Sequence, residues 1–315
     1  MRQVNVAVLG AGTVGGGVVD AIRRNGALMA SRLGIRLAVH RVVVRDAAKR
    51  RDFDLNGARL GTDWREAVND PNTHVVVELV GGTKTAREMT LAALRAGKPV
   101  VTANKALLSK HGEELFAAAK EGGANLYYEA SVAGGIPIIK VMREALIGNR
   151  ITRLYGILNG TCNYILTRMR AERAEFATVL ADAQRLGYAE ADPALDIEGI
   201  DALHKTGILA SLAHGFWVDV EEGASVEGIT GVTPLDMEFA GQLGYTIKLI
   251  AAIKTVDPAK AGSTRSRGKG GLAVSVSVGP TLVPNGHVLA NVGDVFNAVY
   301  VRGDIVGDTL YYGRG

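Results

Sequence analysis

The N-terminal segment constrains the fold more than any other part of this sequence. A short apolar run, VNVAVLG (Val4–Gly10), leads into the spacing GxGxxG and then into a helical pattern through Val18–Arg24. In such a turn Gly10 permits a sharp change of direction and Gly12 lets the backbone approach a pyrophosphate. Gly15 lets the helix pack closely on the strand, and the helix N-terminus faces the anion. The segment therefore predicts a dinucleotide-binding β-α-β unit.

The predicted cofactor residues are Gly10, Ala11, Gly12, Thr13, Val14, Gly15 and, at the end of the second strand (residues 37–46), Arg45. Arg45 could stack on adenine or bind a 2′-phosphate with two hydrogen bonds, which favours NADP. Asp46 would indicate NAD if it points inward towards the ribose hydroxyls. We expect NADP and keep NAD as the alternative. The alternative for the basic residues at 49–51 is that they are simply exposed.

Strand and helix patterns alternate as far as residue 130. Strands are expected at 74–82, 98–105 and 125–132, and helices at 85–96 and 109–121. Valine-rich runs without strict alternation suit strands that helices cover on both faces. Residues 1–130 are therefore predicted to form an α/β, Rossmann-type, doubly wound parallel sheet.

Lys105 follows a strand end in VVTANKALL, where such sheets bind ligands. It is a candidate contact for nicotinamide or substrate, the alternative being an ordinary lysine at a helix start.

The pattern changes in the second part of the chain, residues 131–315. Helices are expected at 137–147, 176–186, 199–213 and 234–243, and strands at 272–283, 297–304 and 309–313. This order predicts an α+β domain with a mostly antiparallel sheet.

The helix predicted from residue 199 turns a charged pair towards its apolar side. Asp201 and Lys205 lie four residues apart and project from the same side as Ile208, Leu209 and Leu212. A surface ion pair would normally lie on the opposite face. The pair is interpreted as facing a ligand, the alternative being a buried structural ion pair.

An acidic cluster comes just before and within this helix, and a substrate that carries an ammonium group would be attracted to it. Some of its members are expected to be only helix-start acids favoured by the helix dipole. Glu190 and Asp201 are the first candidates for substrate binding and Asp196 the second, whereas Asp192 and Glu198 stay unassigned.

Several motifs resemble those of homoserine dehydrogenases, and the resemblance runs from Val4 to Gly315. It implies reversible reduction of L-aspartate 4-semialdehyde to L-homoserine with NAD(P)H, a step towards threonine, methionine and isoleucine. It also implies a catalytic and dimerisation domain after the nucleotide domain, and a homodimer. The motifs are GAGTVG, VVTANKALL, YEASVAGGIPII, GILNGTCNYILTRM, GYAEADPALDIEGIDALHK and GDTLYYGRG.

The resemblance assigns roles to single residues. Lys205 would protonate the substrate oxygen, Asp201 would be the catalytic-site aspartate, and Lys105 would lie near nicotinamide and substrate. Glu190 would bind the substrate amino group. The loop GILNGT would line the substrate pocket with Gly156, Asn159, Gly160 and Thr161, and a monovalent cation, sodium, would be held by Glu129, Val132, Gly134 and Ile136.

Elementary chemistry agrees with this assignment of the charged pair. Reduction of an aldehyde needs a hydride and a proton for the developing alkoxide. A carboxylate one helical turn away can hold a lysine charged and aimed, ready to stabilise and protonate that oxygen. We therefore expect Asp201 and Lys205 to face inward because the substrate lies there.

Two other functions are alternatives to a dehydrogenase that uses Asp201 and Lys205. Cys162 could act as a nucleophile in a semialdehyde dehydrogenase, but that chemistry needs an activating base nearby. A cofactor-binding protein without turnover is the second, because the family's C-terminal helix, expected beyond GDTLYYGRG, and any regulatory amino-acid-binding domain are not in this sequence.

Composition excludes several classes of protein. The net charge of +4 is mild, and no aromatic residues interleave the basic ones, so nucleic acid is not an expected partner. The basic run at 263–271 is interpreted as a solvated loop. No signal peptide or membrane-spanning run is apparent, and a single cysteine fits a reducing compartment. We expect a cytoplasmic protein without membrane contact.

Overall fold

The computed structural model describes residues 1–221, 223–256, 266–267 and 273–315, the pair 266–267 by its backbone alone. Contacts within the chain divide it into two compact units, Met1–Ser131 and Val132–Gly315. The basic run predicted as a solvated loop lies, apart from that pair, outside the described residues.

The first unit is built on a six-stranded parallel sheet, which confirms the predicted fold class. The strand order is β3-β2-β1-β4-β5-β6, so the order reverses between β1 and β4. Its strands are β1 (Arg2–Leu9), β2 (Ile35–Val43), β3 (Arg59–Gly61), β4 (Val75–Glu78), β5 (Val100–Thr102) and β6 (Leu126–Tyr127), and its helices are α1 (Thr13–Leu33), α2 (Trp64–Asn69), α3 (Lys84–Arg95) and α4 (Lys105–Glu121).

The valine runs of this unit become buried strands. Val6, Val8 and Val77 belong to one apolar cluster with Val19 of α1. Two helices are longer than their patterns predicted: α1 continues to Leu33, and α4 begins at Lys105. Because the carboxyl ends of β1, β4 and β5 meet at one edge, the loops that follow them lie together there.

The second unit contains a largely antiparallel sheet, again as predicted. Its order is β10-β11-β9-β7-β12-β13, and the short β8 pairs parallel with β11. Its helices are α5 (Ile138–Lys140), α6 (Gly160–Glu172), α7 (Phe176–Arg185), α8 (Ala194–Ile197), α9 (Ile200–His214) and α10 (Pro234–Gln242), and its strands are β7 (Ile151–Ile157), β8 (Ser225–Val226), β9 (Tyr245–Val256), β10 (Ser266–Arg267), β11 (Ala273–Pro284), β12 (Phe296–Gly303) and β13 (Gly307–Arg314).

Two features of this unit differ from the sequence-based expectation. The helix expected at 137–147 is a three-residue α-helix continued by a π-helical turn at Val141–Ala145. The central strand β9 was not predicted at all. Its sequence, YTIKLIAAIKTV, contains the short apolar run LIAAI at residues 249–253, and such runs fit a buried helix and a buried strand equally well. Pairing with β11 on one side and β7 on the other decides for the strand.

Helices α6 and α9 pack against this sheet, and the short α8 contacts both of them. Strand β7 lies between β9 and β12 and ends at Ile157, two residues before the N-cap of α6. The sheet thereby fixes where α6 begins. Of the helices in the described part of the chain, none has the length and apolar composition of a membrane span.

Candidate active site

Of the three glycines in the GxGxxG turn of the first unit, Gly12 faces open space, whereas Gly10 and Gly15 are packed against backbone. Gly10 has a φ of +93°, and a methyl group added there would lie 2.5 Å from the Leu79 carbonyl oxygen. A methyl group on Gly15 would lie 2.0 Å from the Gly10 carbonyl oxygen, whereas one on Gly12 would meet nothing within 4 Å. Gly10 and Gly15 thus serve the close packing of β1, β4 and α1. Gly12, the N-cap of α1, faces open space at a helix N-terminus.

These observations fit a bound dinucleotide. The α1 N-cap is a glycine without a side-chain cap, so the first backbone N–H groups of the helix are not satisfied by a capping side chain. Ala11 is part of the turn, and Thr13 and Val14 form the first helical turn with exposed side chains. The site lies where the strand order reverses, the usual place for a ligand in an open α/β sheet.

The loop after β2 exposes both Arg45 and Asp46 to solvent. The Asp46 carboxylate accepts the backbone N–H of Ala48 at 2.8 Å. Arg51, for which simple exposure was the alternative, is half-buried. Its guanidinium donates to the carbonyl oxygens of Asp46 and Lys49 at 2.5 and 2.6 Å. Arg51 therefore shapes the loop that carries Arg45.

A buried carboxylate organises the loops at the ends of β4 and β5. Glu78 is fully buried and accepts the Thr102 hydroxyl at 2.7 Å and the Val80 N–H at 2.9 Å. The Thr102 oxygen accepts the Asn104 N–H at 3.0 Å, and Asn104 caps α4 by accepting the Leu107 N–H. Lys105, half-buried, is the first residue of that helix. Sequence reasoning selected Lys105 but missed the Glu78 network that fixes its backbone.

The charged pair on α9 does face inward. Lys205 Nζ lies 2.7 Å from Asp201 Oδ2, and the two side chains are only 15% and 6% exposed. Lys205 Nζ also donates to the carbonyl oxygen of Leu158 at 2.8 Å. An ammonium group has three N–H donors, and these two acceptors take two of them among the described residues. Leu158 was not predicted from sequence, because a main-chain carbonyl leaves no mark in the residue pattern.

Asn159 joins three parts of the second unit. Its amide nitrogen donates to Asp196 at 2.8 Å and to Asp201 at 2.9 Å, and its amide oxygen caps α6 by accepting the Cys162 N–H at 2.8 Å. The side chain is 5% exposed. Two of the predicted acids, Asp196 and Asp201, are therefore held on one amide group next to Lys205.

The other predicted substrate residues lie around the start of α6. Thr161 donates its hydroxyl to the Tyr188 carbonyl oxygen at 2.8 Å, which ties α6 to the segment that carries the exposed Glu190. Gly160 is the first residue of α6. Gly156 lies inside β7, not in the loop, and the absence of a side chain there makes room for the Leu158 side chain, which a methyl group would approach to 2.8 Å.

Cys162 has no nucleophilic character in this structure. The thiol is fully buried and donates to the Asp196 carbonyl oxygen at 3.1 Å. Burial, with Asp196 and Asp201 nearby, raises the pKa of the Cys162 thiol far above its usual range. The thiol therefore stays protonated, and a Cys162-dependent mechanism is not favoured.

The predicted cation residues straddle the boundary of the two units. Glu129 begins a 3-10 turn of the first unit, and Val132, Gly134 and Ile136 follow in the second. Ala133 between them has a φ of +48°, which turns the chain sharply. A carboxylate and main-chain carbonyl oxygens are the ligand types that hard cations prefer. Within the described residues no group of three His, Cys, Asp or Glu side chains could hold a metal.

Together, a parallel sheet with a phosphate-accepting turn and a unit that buries a lysine against a carboxylate define a nicotinamide-dependent dehydrogenase. Comparison with known families specifies which one. Residues 137–315 match the family described as homoserine dehydrogenase, and residues 10–129 match the homoserine dehydrogenase NAD binding domain.

Individual relatives agree. The chain is 43% identical over 315 residues to a homoserine dehydrogenase of Bacillus subtilis, covering 100% of this chain and 69% of the relative. The crystal structure of a homoserine dehydrogenase from Thiobacillus denitrificans superposes with a TM-score of 0.90 at 46% identity, covering 100% and 69% of the two chains. A hyperthermophilic archaeal homoserine dehydrogenase in complex with NADPH gives a TM-score of 0.78 at 27% identity, covering 100% and 92%.

The chain belongs to the homoserine dehydrogenase family. It is an oxidoreductase that acts on a CH–OH group and interconverts L-homoserine and L-aspartate 4-semialdehyde. The alternative of a cofactor-binding protein without turnover is not favoured.

Proposed function

We propose that Lys205 donates the proton in aldehyde reduction and that Asp201 keeps its ammonium group in place. The observation that carries this is the set of acceptors around Nζ. Asp201 Oδ2 and the Leu158 carbonyl oxygen fix two N–H donors from the protein side. The third donor can reach the substrate oxygen, where negative charge develops during reduction. Bound NAD(P)H supplies the hydride for this reaction.

The substrate's ammonium group suits the carboxylates of this unit. Glu190 is exposed beside the segment tied to α6, and Asp196 is half-buried and anchored by Asn159. We assign both to substrate binding, with Gly156, Gly160 and Thr161 as the pocket segment. Asn159 belongs to the same segment, and its side chain bonds to the carboxylates of Asp196 and Asp201. Lys105, at the start of α4, is assigned to the nicotinamide and substrate side of the first unit.

NADP is the proposed cofactor, held by residues 10–15 and Arg45. Its support is that Arg45 is exposed at the end of β2 while Asp46 is bonded within its own loop. A guanidinium group suits a 2′-phosphate, to which it can donate two hydrogen bonds. The archaeal relative solved with NADPH is consistent with this choice.

The remaining assignments are proposals of the same kind. Sodium is proposed at the turn formed by Glu129, Val132, Gly134 and Ile136. A homodimer is proposed because β13 is an edge strand that exposes Leu310 and Tyr312, and such edges pair readily. A cytoplasmic role in the synthesis of threonine, methionine and isoleucine follows from the reaction and the single cysteine.

The test is oxidation of NADPH and NADH at 340 nm with aspartate 4-semialdehyde, for the parent and Lys205→Met. Loss of a general acid should lower kcat by about 10²- to 10⁴-fold. Lys254→Met, on the exposed end of β9, is the control and should keep the parent rate. Turnover retained by Lys205→Met would refute the proton-donor assignment.

Arg45→Ala should reduce the NADPH rate at limiting cofactor and leave the NADH rate unchanged. Equal losses with both cofactors would refute the 2′-phosphate contact.

A further inference from the structure

We propose that Asn159 is a positioning residue that holds Asp201 and Asp196 in place, rather than a residue that contacts the substrate. This deepens the proposed function, because it rests on Asp201 and Lys205 acting together. The two carboxylates come from different helices, Asp196 from α8 and Asp201 from α9. Asn159 comes from the loop between β7 and α6, so it connects both carboxylates to the end of β7.

Both N–H donors of the Asn159 side chain are committed within the protein. A primary amide has two N–H donors, and these go to Asp196 Oδ1 and Asp201 Oδ2 at 2.8 and 2.9 Å. The amide oxygen accepts the Cys162 N–H at 2.8 Å. A side chain that is 5% exposed and has both donors taken has no N–H to offer a substrate.

The partners also fix the orientation of the amide. In the reverse orientation the amide oxygen would face two carboxylates, and the NH₂ group would face the N–H of Cys162. All of those contacts are repulsive, whereas each contact in the observed orientation joins a donor to an acceptor.

A neutral amide is the group that this position requires. Asp201 Oδ2 accepts from Asn159 Nδ2 and from Lys205 Nζ, so the Asn159 contact fixes the same oxygen that holds the ammonium group. An aspartate at 159 would replace two donors by a third carboxylate beside Asp196 and Asp201, where like charges repel. The neighbouring Leu158 carbonyl oxygen accepts a hydrogen bond from Lys205 Nζ. The same loop therefore makes hydrogen bonds to both Asp201 and Lys205.

The experiment is a double-mutant cycle between Asn159→Ala and Asp201→Asn. For each variant kcat, KM and the free energy of unfolding in urea are measured. If Asn159 acts through Asp201, Asn159→Ala should lower kcat by roughly tenfold or more in the parent, as expected for a lost hydrogen bond to a charged group. In the Asp201→Asn background the same change should have little further effect on kcat.

Asn163→Ala supplies the matched control. Asn163 lies one turn later in α6, is equally buried, and donates to two main-chain carbonyls, those of Val292 and Phe296. Among the hydrogen bonds of the described residues, none joins Asn163 to Asp201, so the effect of Asn163→Ala should be the same in both backgrounds. Asn159→Asp should be at least as inactive as Asn159→Ala although it matches asparagine in shape.

Additive effects of Asn159→Ala and Asp201→Asn on kcat would overturn the proposal, because a residue that touches substrate directly loses its contact in either background. Wild-type activity of Asn159→Asp would overturn it as well. Unfolding in urea shows whether each variant is folded under the assay conditions. The kcat values of the double-mutant cycle are compared only for folded variants, so a destabilised variant does not confuse the result. Failure of the proton-donor assignment has a different signature, which is turnover by Lys205→Met with the cycle still coupled.

Discussion

Replacing Gly12 by alanine should abolish tight cofactor binding without destabilising the protein. The backbone there has φ −80° and ψ −154°, so an L-residue is not forced into the left-handed region. A methyl group at this position meets nothing within 4 Å. The free energy of unfolding should therefore change by no more than about 0.5 kcal/mol.

We propose that the pyrophosphate approaches the backbone through the open space in front of Gly12. An added methyl group would displace it from the N–H groups of the α1 N-terminus. Loss of one hydrogen bond to a charged group corresponds to a roughly ten- to hundredfold weaker Kd for NADPH. Gly15→Ala should behave differently, because its methyl group would lie 2.0 Å from the Gly10 carbonyl oxygen. Such overpacking should cost about 1–3 kcal/mol or more of folding stability.

The assays are NADPH titration by calorimetry and unfolding in urea, on parent, Gly12→Ala and Gly15→Ala. Gly17→Ala is the control on the same helix, since a methyl group there also meets nothing within 4 Å and Gly17 lies outside the fingerprint. It should keep the parent Kd and gain up to about 1 kcal/mol of stability. An unchanged Kd for Gly12→Ala would refute the placement of the pyrophosphate. A loss of stability in Gly12→Ala comparable to that of Gly15→Ala would refute the interpretation that the space around Gly12 is open.

Two further predictions concern buried groups of the second unit. Burial lowers the pKa of Lys248 to about 8, from a usual 10.5, and Arg170 contributes in the same direction. Between these two pH values the unfolded chain binds more protons at Lys248 than the folded chain does. The free energy of unfolding should therefore rise with pH, by roughly 3 kcal/mol over the whole interval. Urea unfolding from pH 7.5 to 9.5 should show this rise in the parent relative to Lys248→Met, and parallel profiles would contradict it. Cys162 should resist iodoacetamide in the folded enzyme and react only after unfolding, since its thiol is buried and protonated; rapid labelling with loss of activity would restore the nucleophile hypothesis.

Features that depend on near neighbours in the chain could be predicted from the sequence. The spacing of Gly10, Gly12 and Gly15 after a valine-rich strand specifies the turn, because Gly10 and Gly15 answer steric requirements within it and Gly12 leaves open space at the helix N-terminus. Asp201 and Lys205 lie on one side of a helix because 3.6 residues per turn bring positions four apart together. The resulting ion pair at 2.7 Å is therefore a local consequence of the sequence.

Only the tertiary structure decided what surrounds that pair. Leu158 lies 47 residues from Lys205 and Asn159 lies 42 residues from Asp201, yet both contacts are made. Neither contact has a periodic signal, since one uses a main-chain carbonyl and the other an amide side chain in a loop. The central strand β9 escaped prediction for a related reason: its apolar run is compatible with helix or strand until β7 and β11 pair with it. Local spacing thus set the reactive pair, and long-range strand pairing set the loop that holds it.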